Sequence, residues 1–417
     1  MSSRLASAGL VLAAAAVAAC GAGESAPEAG RWRAWLESPG GELPFGLDLA
    51  LVEAKWIATV VNGEERLPAR ATLAAGRLRI DFLPYDSWAD CAILAGGRRL
   101  EGTWTKRRGE GVASTLPFRA TLGAAPRFAR RGAASGSAEL PDGRWAAQFS
   151  SSGDPALAIF RTRPDGSLFG TFLTTTGDYR FLAGRADEDG LRLSCFDGAH
   201  AFLFTAGWTA AGGLAGDFWS ADAWHETWTA ERSETAAMPD AFGITAWSES
   251  TRLEDVVLPD LDGVERSLAD PAFAAPVRLL QVFGSWCPNC NDEADYLVEL
   301  RDRYAGRGLA ILGLAFEHET DPAAAAVRVR AFQERHGADW PVLLAGPSDK
   351  DAASAAFPAL DRVRSYPTTI FLDHRGKVRA VHTGFSGPAT GAAHAQLRDE
   401  FEGRIERLLA EAEAENR

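Results

Sequence analysis

The chain has 417 residues, 46% of them hydrophobic and 24% charged, with a formal net charge of −13. That length exceeds one ordinary domain and predicts two or three. The acidic balance argues against nucleic acid as a partner, because a phosphate backbone demands a basic face.

Residues 1–20 read as an export signal. Arg4 supplies a short positive start, residues 5–19 are apolar and small, and the run ends in Val17-Ala18-Ala19-Cys20. It is too short and too rich in alanine for a membrane-spanning helix. Small residues ahead of a cysteine resemble the bacterial lipoprotein signal, which implies that Cys20 becomes the lipid-modified first residue. An ordinary secretory signal is the alternative. Residues 21–29 read as a flexible tether. Several acyl chains on one cysteine would hold the protein stably at a membrane. The expected compartment is extracytoplasmic and oxidising, on the periplasmic side of a bacterial membrane.

Residues 30–232 carry an internal duplication. Gly30-Arg31-Trp32 recurs as Gly143-Arg144-Trp145, Gly76-Arg77-Leu78 as Gly190-Leu191-Arg192, and Leu100-Glu101-Gly102 as Leu214-Ala215-Gly216. The constant offset marks two copies of one unit, assigned to 30–125 and 140–232. Each copy shows short runs of period-two alternation between glycine turns, the pattern of antiparallel all-β structure. About eight strands per copy suffice for an up-and-down barrel or a strongly curved sheet. The Gly-x-Trp openings resemble the first strand of lipocalin-type barrels. Ten of the 13 tryptophans lie between Trp32 and Trp228, as core packing or as the wall of a ligand or partner site. His200 and His225 have no third group at ligand spacing, so no catalytic constellation emerges in this half. Residues 233–250 lose the alternation and read as a linker.

From 251 to 417 strands and helices alternate, the pattern of an α/β layered domain. Residues 256–268 predict a hairpin, 277–283 a buried parallel strand, and 309–316 a second strand. Asp321-Pro322 has the form of a helix cap followed by proline at the first helical position. Strands follow at 341–344, 368–372 and 378–383, with helices at 349–357 and from 392 onward.

Cys287 and Cys290 carry the chemistry. In Trp286-Cys287-Pro288-Asn289-Cys290 an apolar strand ends in two thiols three residues apart at a helix start. Unpaired backbone N–H groups there favour a thiolate on the first cysteine. Such a pair opens and closes a disulfide with little backbone movement. A structural disulfide is a weaker reading, and a zinc site lacks a second pair of ligands. No cofactor motif appears. Cys91 and Cys195 are left as a bridge or as two buried thiols.

Together with Tyr366-Pro367-Thr368-Thr369-Ile370-Phe371-Leu372-Asp373, this motif resembles the thioredoxin fold. The segment between 309 and 344 and the terminal Gly384-Phe385-Ser386-Gly387-Pro388 resemble its TlpA-like redoxin branch of thiol–disulfide reductases. The resemblance covers 251–417 and does not extend to the front half. It implies that Cys287, exposed at the helix start, attacks a substrate disulfide and that Cys290 resolves the mixed disulfide. It also implies that Tyr366-Pro367 forms a cis-proline loop aligning the substrate peptide, with Trp286 shielding one side. Glu293 matches the acidic position of a Cys-x-x-Cys-x-x-Glu pattern and is expected to be half-buried and to manage the proton of Cys290, unless it only complements the helix dipole. Glu317 is a lesser candidate for that task. The expected partners are a disulfide-bearing protein and a membrane thiol carrier as electron donor. One departure is that proline follows the first cysteine (Pro288), where the family places it before the second.

Two alternatives stand beside this reading. A peroxiredoxin shares the fold, but its peroxidatic motif needs a hydroxyl residue at 284, where the chain has glycine. The other is that the β-rich half binds a ligand or partner and the redox domain serves it.

Overall fold

The computed structural model describes residues 26–109, 111–131, 140–248 and 250–415. Cys20, the signal segment and residues 21–25 of the tether lie outside the described residues.

The front half is two antiparallel barrels, and the duplication shows in their strands. In the first, eight consecutive strands from Gly30–Ser38 to Gly111–Leu122 pair in order, and the first closes on the last through Trp32↔Leu122 and Leu36↔Phe118. Along Gly30–Ser38, Trp32, Ala34 and Leu36 point into the core while Arg31 and Glu37 face solvent. This is the alternation the pleat imposes on a half-buried strand. The second barrel closes because Ala156–Thr162 pairs with Gly143–Phe149 on one side and Ser167–Thr174 on the other. The repeated motifs occupy equivalent places. Both Gly-Arg-Trp triplets open a first strand, and Leu100 and Leu214 lie in the strands next to the last, Arg99–Arg108 and Leu214–Ser220. An extra two-residue strand, Gly177–Asp178, folds back on Leu173 and Thr174, leaving residues 175–176 as a tight turn.

The aromatic residues pack on one another. In the second barrel Phe172 stacks on Phe204 at 4.7 Å, Phe204 on Phe218 at 4.4 Å, and Trp228 meets Phe172 edge-on at 5.0 Å. Phe196 leaves that barrel and enters the core of the first, stacked on Phe45 at 4.4 Å with Trp104 edge-on at 5.5 Å. Asn62 pairs with the Phe196 backbone like a short extra strand, its Nδ2 donating to the carbonyl at 2.7 Å. Cys91 and Cys195 are free thiols, each buried in a different barrel. Burial pushes the Cys91 thiol up to about 12 and raises that of Cys195 as well.

The back half is a five-stranded sheet in the order Val342–Pro347, Leu309–Glu317, Val277–Phe283, Thr368–Leu372, Val378–Thr383. The central strand runs parallel to Leu309–Glu317 and antiparallel to Thr368–Leu372. Helices α1 (Pro288–Tyr304), α2 (Pro322–His336), α3 (Lys350–Ala356) and α4 (Ala392–Glu415) accompany it. A small hairpin, Val257–Pro259 with Glu265–Ser267, precedes the sheet. Within the 233–250 stretch, Phe242 packs against Phe371 and Phe401, with the Arg404 guanidinium 3.6 Å above its ring. The whole is thus two all-β barrels followed by an α/β domain of thioredoxin topology. The core of the α/β domain shares no residue with the cores of the barrels. Among the described residues no helix is long and apolar enough to cross a membrane.

Candidate redox site

The central strand delivers the chain to Gly284, where a Cβ would lie 2.3 Å from Trp286 Nε1 and 2.9 Å from the Phe316 carbonyl. Glycine therefore lets the Trp286 indole fold back under the strand end and donate to Phe316 O at 2.9 Å. Ser285 is clamped by Glu317, which accepts its backbone N–H at 2.8 Å and its hydroxyl at 2.7 Å. Burial pushes the Glu317 carboxyl up to about 7. Cys287 is the N-cap of α1 with Pro288 at its first position, so the unpaired amides of the first turn gather around it. Asn291 donates to the Cys287 carbonyl at 2.8 Å, and its own oxygen is held by His336 Nε2 at 2.8 Å.

Tyr366–Pro367 is a cis peptide bond. The Cys287 thiol donates to the Tyr366 carbonyl at 3.4 Å. Trp286 stacks on His318 at 4.3 Å and meets Tyr366 edge-on at 5.5 Å. The expectation of an exposed Cys287 fails, since it is only 6% accessible. Its thiol is tucked against the Tyr366 carbonyl of the same domain, and Tyr85 and Lys106 of the first barrel lie near enough to interact with it electrostatically. Cys290, one turn on, is fully buried. Its thiol is raised well above the ordinary range, first by burial and then by its hydrogen bond with Cys287.

Glu293 is fully buried, not half-buried as expected. It accepts from Thr369 Oγ1 at 2.5 Å and from Gln281 Nε2 at 3.0 Å. Burial outweighs both bonds and pushes its carboxyl up to about 7. The structure therefore brings Trp286, Cys287, Cys290, Tyr366 and Pro367 together, with Glu293 beneath them on the same helix.

Several residues at this site were not foreseen. The 174–177 turn of the second barrel sits beside the cis-proline loop, where the Thr176 carbonyl accepts from Ser365 Oγ at 2.6 Å. Asp178 Oδ2 accepts from the Gly387 N–H at 2.6 Å. Arg180 is buried with its backbone in the left-handed region at φ 62°, a conformation that disfavours a side chain. Its guanidinium joins three segments. It pairs with Glu65 of the first barrel at 2.9 Å, with Asp197 of the second at 3.4 Å, and with Asp292, two residues past Cys290. Burial raises Glu65 to about 7 and Asp292 to about 6 against the pull of Arg180. Only the polar Asn291-Asp292-Glu293 run, placed on an otherwise buried helix start, pointed to such partners. On the other side of Trp286 a cleft of about 170 Å³ remains, bounded by Tyr85, Lys106 and His200 of the barrels and by Pro288 and His318.

The AhpC/TSA family model matches residues 250–381. The thioredoxin-like protein YneN of Bacillus subtilis is 32% identical over 136 residues, 33% of this chain and 72% of the relative. Thiol-disulfide oxidoreductase ResA of Geobacillus thermodenitrificans is 31% identical over 140 residues, 34% of this chain and 72% of the relative. Among solved structures, a secreted Mycobacterium tuberculosis disulfide oxidoreductase homologous to E. coli DsbE aligns at 19% identity with a TM-score of 0.27, covering 37% of this chain and 96% of that one. Through its C-terminal α/β domain, the chain belongs to the thioredoxin-like family of thiol–disulfide oxidoreductases represented by these relatives.

Proposed function

We propose that the protein is an extracytoplasmic thiol–disulfide oxidoreductase, anchored to a bacterial membrane through a lipid on Cys20, that reduces disulfides of exported proteins. The observation that carries this reading is the Cys287 thiol at the start of α1, against the Tyr366 carbonyl, with Cys290 one turn behind. Cys287, as thiolate, attacks one sulfur of the substrate disulfide and forms a mixed disulfide. The other substrate sulfur leaves and takes a proton. Cys290 then loses its proton, attacks Cys287, and releases the second substrate thiol. Two electrons and two protons pass to the substrate, and the enzyme is left with a Cys287–Cys290 disulfide. A membrane thiol carrier reduces it for the next turnover.

Each residue has a task in that cycle. The first-turn amides of α1 stabilise the Cys287 thiolate. Burial keeps Cys290 protonated until the mixed disulfide forms, and Glu293 takes its proton at that moment. Trp286 and the Tyr366-Pro367 loop flank the substrate. The AhpC/TSA match does not bring peroxide chemistry with it, because Gly284 stands where that chemistry needs a hydroxyl.

Cys287→Ser is expected to abolish reduction of a disulfide substrate, whereas Cys290→Ser should accumulate a mixed disulfide visible on a non-reducing gel. Undiminished turnover by Cys287→Ser would defeat the assignment.

A further inference from the structure

The face of the redox domain beside Cys287 is covered by this chain itself. The 174–177 turn lies along it through main-chain atoms. The Thr176 carbonyl takes the Ser365 hydroxyl, and a Cβ on Gly384 would come within 2.9 Å of the Thr176 carbonyl carbon. Gly177, at φ 145°, approaches so closely that a Cβ there would lie 2.1 Å from Asn289 Nδ2, between the two cysteines. The Thr176 carbonyl contact is made by backbone, so another segment can offer it if a small residue stands at the place of Gly177.

What holds the turn in place is polar. Asp178 accepts from Gly387 N–H and Arg180 pairs with Asp292, and elsewhere between the two halves Arg328 pairs with Asp86 of the first barrel at 3.2 Å. No apolar core among the described residues spans the front half and the redox domain. An interface of this kind separates more readily than an apolar one. With the turn seated Cys287 is 6% accessible, and the cleft of about 170 Å³ reaches its two chain neighbours, Trp286 and Pro288; it is too small for a polypeptide but wide enough for a small thiol or disulfide to come up beside Cys287.

We propose that the groove formed by Asn289, Ser365, Gly384 and Gly387 is a docking site for an extended polypeptide segment, held in this structure by the protein's own 174–177 turn. A disulfide-bearing protein reaches Cys287 by displacing that turn, whereas a small disulfide needs no displacement. The inference rests on the redox reading of Cys287 and Cys290 and adds how substrate class is chosen.

The test uses the full chain with insulin as protein disulfide and oxidised glutathione as small one. Gly177→Ala wedges the turn away from Asn289, and Asp178→Ala removes the tie to Gly387, so either variant serves should the other not fold. Insulin reduction is expected to rise about tenfold in these variants, with the oxidised glutathione rate changed by less than about twofold. Insulin rates equal to the parent's, or a parallel rise with both substrates, would overturn the docking site. A parent protein inert toward oxidised glutathione alone would overturn the open route for small disulfides, and a chain inert toward both substrates, variants included, would instead remove the redox reading beneath it.

Discussion

Glu293 is gripped by two side chains that face each other across the sheet, Gln281 on the central strand and Thr369 directly opposite. A polar pair at the heart of an apolar strand is costly unless it has a partner, and here the partner is a carboxyl. With the folded value near 7 and the unfolded value near 4.5, this carboxyl binds more protons in the folded state between those limits. Stability therefore falls as pH rises from about 4.5 to about 7, on the order of 3 kcal/mol for the full span. Glu293→Gln should remove that contribution, seen as a flatter urea midpoint against pH across the same window. The same variant should slow disulfide reduction on the order of 100-fold at neutral pH by denying Cys290 its proton acceptor. A packing role alone would change the midpoints and leave the rate. The Cys-x-x-Cys spacing and Glu293 itself were legible in the sequence. The grip on Glu293 was not, because Gln281 reads as one polar residue in a buried strand and nothing local says what it faces.

Helices and strands were the most legible features, because their signals are local. Asp321 caps α2 by accepting from the N–H groups of Ala323 and Ala324, with Pro322 at the first position, as the dipeptide predicted. Asp321→Ala should cost about 1 kcal/mol, measured as a lower denaturation midpoint, since it orphans two donors. Barrel strands announced themselves by alternation, for burial of one face forces a period of two. Closure did not, because it depends on a strand finding two partners, as Ala156–Thr162 does. The shift in register where Leu309–Glu317 meets Val342–Pro347, between Ala315 and Phe316, has no counterpart in the local sequence either.

At the scale of the molecule the duplication was readable and the docking was not. The repeated motifs fall on equivalent strands of the two barrels. The contacts that bring the halves together join Arg180 to Asp292, Thr176 to Ser365 and Asp178 to Gly387, at sequence separations of 112, 189 and 209 residues. No periodicity reports pairings that distant. Phe196 shows the same difficulty, since it reads as an ordinary strand residue yet plugs the neighbouring barrel. Phe196→Ala should cost about 3–5 kcal/mol, read as a lower thermal midpoint of the full chain, by opening a cavity between the barrels. A change below about 1 kcal/mol would mean that the barrels stand without it.

The 174–177 turn is a ligand that cannot diffuse away. Because it belongs to the same chain, it competes with incoming segments at an effective concentration on the order of millimolar. A passing polypeptide with weak affinity for the groove loses that competition, and its cysteines are left alone. The dithiol is thereby kept from indiscriminate exchange, and it yields to a segment that binds more tightly than the tethered turn.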